Sequence, residues 1–392
     1  MTPSTPLTDA MLARARELFP YTRTGRIYLN HAGTSPLPTR VVEAMQEHLR
    51  DRSEGTLDTY AIDLEIVKRA RASVAALINA ESPSRVAFQS NTSDALNVVA
   101  AGLPWRAGDR VILNDQEFPA NVYPYLNLKR IGVELDFVGS RNGMILPENI
   151  EKMITVRTRL VALSAVQFLS GHRSDLAAIG SLCRARGIQF VVDGIQAVGA
   201  VAIDVRAMRI DALAAGAQKW QMGPHGTGFL YLTEELQEII RQQYLGWLSV
   251  HDPWEFRDYT QPLASSARRF EGGSPNLPGL RGYESALAIL LEFGVGPIES
   301  RILDLTRVLR DALASIPGTT VLTPAAPEHR AGIVTLQIPA AADGNALFAR
   351  MQERGVTAAI REGKIRFSPH FYNTPEEMTA AAEITRSCLA KS

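Results

Sequence analysis

Five short, unbroken apolar runs most constrain how this chain can fold: Arg110-Val-Ile-Leu113, Glu134-Leu-Asp-Phe-Val138, Leu160-Val-Ala-Leu163, Phe190-Val-Val192 and Ala212-Leu-Ala-Ala215. A strand with one wet face alternates apolar and polar residues, so runs without alternation suggest strands buried on both faces. Helical patterns fill several of the gaps, such as Asp175 to Arg186. Strand–helix alternation of this kind implies a mostly parallel sheet with helices on both sides. Phe229-Leu-Tyr-Leu232 follows Lys219 too closely for a crossover and is expected to run antiparallel.

Around these runs the pattern is mixed. Met11 to Phe19 predicts a helix, Arg26 to Asn30 a short strand, and His31 to Pro38 a turn-rich loop before a helix from about Arg40. Helices are expected near Tyr60 to Asn79 and Asp94 to Ala101, with the strand Arg85-Val-Ala-Phe88 between them. After Asn276 the texture changes. A helical stretch from about Leu280 to Ser315 breaks near Gly294-Val-Gly-Pro297, and strands follow at Thr320 to Leu322, Ile333 to Gln337 and Lys364 to Phe367. Helices near Asn345 to Arg354 and Pro375 to Leu389 complete what reads as a smaller α+β domain. The expected organisation is an N-terminal arm and helix over residues 1–20, a large domain over 21–278 and a small domain over 279–392.

Composition narrows the function classes. Lys+Arg 41 balance Asp+Glu 41, so nothing points to nucleic acid or an acidic membrane surface. Cys183 and Cys388 make neither a disulfide framework nor a metal-ligand spacing, and no metal is expected. Met1 to Asp9 is polar and lacks an apolar core, and no run approaches a membrane span. A soluble cytoplasmic protein is the expectation.

Two of the runs end on chemistry. Phe190-Val-Val192 leads into Asp193-Gly-Ile-Gln196, and Ala214-Ala-Gly-Ala-Gln218 leads into Lys219-Trp220, ahead of the Gly/Pro-rich loop Met222 to Gly228. An acid and a lysine, each at the carboxyl end of a buried strand, are what a pyridoxal phosphate site needs. The amine condenses with the cofactor aldehyde, and the carboxylate keeps the pyridine nitrogen protonated. Asp193 is otherwise a cap or turn former, although a buried carboxylate needs some partner. Lysines are mostly surface residues, but Lys219 follows an Ala/Gly run without charge, which favours a buried amine of lowered pKa. Gln89 to Asn97 follows a strand and opens a helix. Thr92 and Ser93 then offer N–H groups and hydroxyls to a phosphate, or simply cap the helix. Arg366, inside the apolar strand Ile365-Arg-Phe367, suits a substrate carboxylate or a structural ion pair. Arg268 and Arg269 carry the same ambiguity, and His225 and His370 receive no role. No glycine-rich phosphate loop or dinucleotide fingerprint follows a strand.

From about Tyr28 to Met378 the chain resembles the class V aminotransferases of fold type I, nearest the cysteine desulfurase, isopenicillin-N-epimerase-like and kynureninase-like group. The matching stretches are Tyr28-Leu-Asn-His-Ala32, Asn91 to Asn97, Glu117-Phe-Pro-Ala-Asn121, Val192 to Gly199, Gln218-Lys-Trp220, Arg269 to Asn276 and Arg366 to Thr374. The resemblance implies an α/β fold, with a mostly parallel sheet of the seven-stranded type in the large domain, and a homodimer with shared active sites. It implies that Lys219 binds the cofactor and then shuttles the Cα proton, that Asp193 pairs with the pyridine nitrogen, and that Gln196 bonds the phenolic oxygen. Thr92, Ser93 and Gln218 would hold the phosphate, Phe118 would stack on the ring, and Ser274 would reach the phosphate of the neighbouring subunit. Asn30, His31, Gln167 and Arg366 would meet the amino-acid substrate, with Arg366 on its α-carboxylate.

Departures from the family pattern matter too. Phe118 and Gln218 stand where many relatives carry histidine, and Gly216 where some carry a phosphate-binding serine. Desulfurases need a nucleophilic cysteine before the arginine strand, and Thr323 to Arg366 contains none. That argues against a persulfide mechanism. The expected activity is chemistry on an α-amino acid, most simply transamination, with a carbon–sulfur β-lyase or an epimerase as alternatives. A non-catalytic protein of the same fold is opposed by the intact Lys219, Asp193 and Arg366.

Overall fold

In the computed structural model, which describes residues 6–141 and 143–390, the apolar runs become neighbours in one seven-stranded sheet. After a two-residue strand β1 (Ile27–Tyr28), the sheet takes β2 (Val86–Gln89), β3 (Arg110–Asn114), β4 (Glu134–Val138), β5 (Thr158–Ser164), β6 (Gln189–Asp193), β7 (Ala212–Gly216) and β8 (Gly228–Leu232). Their spatial order is β2-β8-β7-β6-β5-β3-β4. All pairings from β4 across to β7 are parallel, and β8 lies antiparallel to both β7 and β2, as its short connection requires.

The unbroken apolarity has a direct cause. Val161, Leu163, Phe190, Val192, Leu213 and Ala215 point into a core on one face of the sheet. Leu160, Ala162, Val191, Ala212 and Ala214 point into a second core on the other face. Both sides of each strand are dry, and each fully buried Val, Leu or Phe stabilises the fold by about 1.5–3 kcal/mol. Polar residues are thereby pushed to the strand ends.

The C-terminal part builds a second sheet from β9 (Thr320–Val321), β10 (Val334–Gln337), β12 (Ala359–Arg361) and β13 (Lys364–Phe367), in the antiparallel order β12-β13-β10-β9. Strand β11 (Val356–Thr357) pairs instead with β1, in parallel. The helical stretch expected after Asn276 is two helices, Leu277–Phe293 and Val295–Ala314, divided at Gly294, whose φ of 78° a side chain would resist. The first helix packs Leu280, Tyr283, Leu287 and Leu290 into a core of the large sheet, and the second packs Leu305, Leu309 and Leu313 under the small one. The N-terminal helix, Asp9–Glu17, is anchored by Arg16, which donates to Glu377 and to the Tyr372 carbonyl. The first five residues of the expected arm lie outside the described ones. Among the described residues no helix is long and apolar enough to cross a membrane.

Candidate active site

Neighbouring parallel strands deliver their carboxyl ends to one edge of the sheet, where crevices form. Asp193 is the last residue of β6, and Lys219 follows β7 by three residues. They line one cavity of about 310 Å³ together with Thr92, Ser93, Phe118, Gln196, Gln218 and Arg366. The backbone around the lysine is gripped from the N-terminal loop. Ser35 N–H donates to the Gln218 carbonyl (2.8 Å) and its hydroxyl to the Lys219 carbonyl (2.6 Å).

The electrostatics of the pair are unusual. Asp193 Oδ1 accepts from Ile195 N–H at 2.9 Å, so one oxygen serves the turn. Oδ2 is buried and has no donor. Burial drives the Asp193 pKa above the ordinary carboxylate range, and the nearby Glu117 charge adds to it, against the pull of the Ile195 N–H and Lys219. Burial pushes Lys219 the other way, below a normal lysine. Asp193 opposes that shift, while Arg366 and Arg361 reinforce it. Lys219 Nζ lies 5.7 Å from the centroid of the Phe118 ring, which is 42% exposed over the cavity.

One end of the cavity is built on the helix Thr92–Gly102. Its cap is Asn91, whose Oδ1 accepts from Asp94 N–H at 2.9 Å. Capping is therefore not the task of Thr92 or Ser93, which both line the cavity. Thr92 Oγ1 accepts from Gly216 N–H at 2.9 Å. A Cβ placed on Gly216 would come within 2.5 Å of Gln218 Oε1 and 3.3 Å of Thr92 Oγ1. Gln218 thus fills the space that a side chain at 216 would need, and the two departures from the family pattern are linked. Gln196 is held at both ends of its amide. Trp220 Nε1, which can only donate, gives to Oε1 (2.8 Å), and Nε2 donates to the Ala32 carbonyl (3.0 Å).

Arg366 is buried. Nη1 donates to the Phe168 carbonyl (2.7 Å), Nε has no partner, and no acidic side chain pairs with it among the described residues. A structural ion pair does not explain it. Burial, and secondarily the Arg361 charge, lower its pKa to about 9.

Other expected residues lie elsewhere. Asn30 and Gln167 do not line the cavity, although each keeps a buried carbonyl oxygen without a partner. The structure does not bring His31 to the cavity. Nδ1 must donate to the Ser368 carbonyl (2.8 Å), so Nε2 accepts from Tyr372 Oη (2.7 Å), and neither nitrogen is left for a substrate. Ser274 belongs to a separate pocket beside Gly272, Gly273 and Asn276. Arg268 and Arg269 are structural, donating to the carbonyls of Leu248 and Ala264. His370 Nε2 donates to the Trp220 carbonyl while Nδ1 accepts from Phe371 N–H, and burial lowers its pKa to about 4. Cys183 and Cys388 are buried in the helices Leu176–Arg186 and Pro375–Leu389 and do not line the cavity.

Sequence reasoning missed two residues. Glu117 is a buried carboxylate at the foot of the Phe118 loop. It accepts from Ser164 N–H (2.7 Å), Ser164 Oγ (2.6 Å), Asn121 and Gln167 (both 3.1 Å) and Asn114. Its only sequence signal is its place directly before Phe118. Arg361 lines the cavity beside Arg366, from a strand too short to be read in the sequence.

The sequence profile of the class V aminotransferases matches residues 27–380. The chain belongs to the class V aminotransferase family. It is 30% identical to a probable cysteine desulfurase of Methanothermobacter thermautotrophicus, over 91% of this chain and 93% of that one. It is also 30% identical to a Bacillus subtilis protein described as an uncharacterized aminotransferase, YcbU, over 94% and 95% of the two chains. The apo structure of a cysteine desulfurase from Thermococcus onnurineus superposes with a TM-score of 0.88 at 25% identity, covering 97% of this chain and 98% of that one. As a class V member the chain is a pyridoxal phosphate enzyme of fold type I. The site fits that cofactor: the unpartnered Asp193 Oδ2 lacks a cationic N–H donor, which a protonated ring nitrogen supplies.

Proposed function

We propose that this class V enzyme is an aminotransferase acting on an α-amino acid. The observation that carries the reading is that Lys219 is the one amine in the cavity lining, with no imidazole or thiol beside it. Bound pyridoxal phosphate supplies an aldehyde that condenses with amines and a ring that draws electrons away from Cα. Burial keeps Lys219 Nζ neutral in a larger fraction near pH 7 than an exposed lysine, so it can accept the Cα proton. A single amine moves that proton along one face of the substrate, as transamination requires. Epimerisation is better served by a second base on the opposite face, and elimination by an acid at the leaving group; with Phe118 in place of histidine, the lining offers neither.

The other residues bind and orient. Asp193 holds a negative charge at the ring nitrogen. Thr92, Ser93 and Gln218 receive the phosphate. Phe118 would stack on the ring, and Gln196, with one N–H left, would bond the phenolic oxygen. Arg366 grips the α-carboxylate through donors that the protein leaves free. Glu117, with five donors, fixes the loop that carries Phe118. The reading includes a homodimer, in which Ser274, lying outside the cavity of its own chain, would reach the phosphate of the neighbouring subunit.

The name of the Methanothermobacter relative favours a second reading, cleavage of a carbon–sulfur bond. In this chain no cysteine lines the cavity to take up the sulfur. Incubating the holoenzyme with a panel of amino acids and an acceptor keto acid separates the readings. Transfer yields a new amino acid and a keto acid without ammonia or sulfide. Release of ammonia with pyruvate or sulfide would replace the aminotransferase with a lyase, and D-amino acid alone would replace it with an epimerase.

A further inference from the structure

Strands β12 and β13 join through a two-residue turn, Glu362-Gly363, in which both residues have positive φ (50° and 73°). Such turns fix the register of a hairpin. The register pairs Ala359 with Arg366 and Arg361 with Lys364. Side chains two apart on a strand share a face, so Arg361 and Arg366 are diagonal neighbours on the same face, with the small Ala359 opposite Arg366 on β12 and Thr335 opposite it on β10. Both line the cavity that contains Lys219.

Like charges set this close are unfavourable. The protein does little to relieve them. Glu362, the nearest acid in sequence, lies 3.8 Å from Lys364. Arg361 donates only to the Ile360 carbonyl (2.7 Å), and no acid pairs with it among the described residues. Asp193 is the sole carboxylate in the cavity lining, against Lys219, Arg361 and Arg366. Two guanidiniums without acids, on one face and in one cavity, make a site for two anionic groups.

We infer that Arg361 selects an amino acid with an acidic side chain, taking its second carboxylate while Arg366 takes the α-carboxylate. The inference rests on the assignment of Arg366 to an amino-acid substrate and goes further by naming the substrate class. Arg361 is exposed, so solvent weakens its contribution and the expected preference is modest.

The test is a titration of the holoenzyme with L-aspartate, L-asparagine, L-glutamate, L-glutamine and L-alanine, reading the visible band of the bound cofactor. Each acid is expected to bind about three- to tenfold more tightly than its amide, with the preference shrinking as salt rises. Arg361→Gln brings the acid-to-amide ratio close to one, Arg361→Lys keeps part of it, and Arg366→Gln weakens all five ligands together. Equal binding of acid and amide by the wild type, or a ratio that Arg361→Gln leaves unchanged, overturns the inference and spares the amino-acid reading. No response to any of the five overturns both.

Discussion

At the scale of single residues, the site stores an unmet need. Asp193 is a buried carboxyl whose Oδ2 has no donor, and its folded pKa is raised. An unfolded aspartate titrates near 3.9, about the model-peptide value. Above that pH the unfolded chain loses a proton that the folded chain retains, so the stability of the cofactor-free protein falls as pH rises from that point through the raised folded pKa. Asp193→Asn removes this dependence. The cofactor-free variant should melt about 1–3 °C above the wild type at pH 8, with the gain shrinking towards pH 5. Calorimetry across that range checks it, and a pH-independent difference would contradict the assignment. With cofactor bound the order reverses, since only the wild-type carboxylate gains a partner. Asp193 and Lys219 were legible in sequence because one ends an apolar strand and the other follows one by three residues. Glu117 was not, because its donors come from Asn114, Asn121, Ser164 and Gln167, and only folding assembles them. His31 misled, because a histidine inside a matching stretch looks the same whether it faces substrate or packs against Tyr372.

Among elements, the hairpin of β12 and β13 brings Arg361 and Arg366, the proposed substrate-binding groups, to the cavity. A Cβ on Gly363 would meet nothing within 4 Å, so Gly363→Ala tests the backbone alone. Its positive φ makes the change cost about 1 kcal/mol. We expect a melting temperature lower by about 1 °C and amino-acid binding weakened several-fold, with cofactor affinity retained. Glu362→Gly relieves strain at φ 50° and is expected to leave the register intact. If Gly363→Ala weakened cofactor and amino acid equally, the hairpin would not be specific to the substrate. The large sheet was readable because burial on both faces writes continuous apolar runs. The helix break at Gly294 was readable because glycine and proline cluster there. The three-residue strand Ala359–Arg361 was not, since its pairing is dictated by a turn and by β13, and Arg361 was missed with it.

The whole molecule is tied together at the residue after the lysine. Trp220 is fully buried, and a Cβ on Gly332, just before β10, would fall 2.1 Å from its ring. The small sheet therefore presses on the ring whose N–H orients Gln196. Gly332→Ala forces one of them to move and should cost about 1–3 kcal/mol, with a shift in the cofactor's visible band that a remote core substitution of equal cost would not produce. Assembly into a dimer adds one more dependence. If Ser274 completes the neighbour's phosphate site, Ser274→Asp should repel that phosphate and inactivate the enzyme, while Lys219→Ala inactivates its own site. Mixing the two variants under conditions of subunit exchange gives hybrids in which one site has both an intact Lys219 and an intact Ser274. Half of the dimers are then hybrids with one good site of two, so activity should return to about a quarter of the wild-type rate. Neither variant alone should recover. If the mixture stays inactive although exchange is demonstrated by labelled subunits, Ser274 does not act across a dimer, and each cavity must hold its phosphate with Thr92, Ser93 and Gln218 of its own chain.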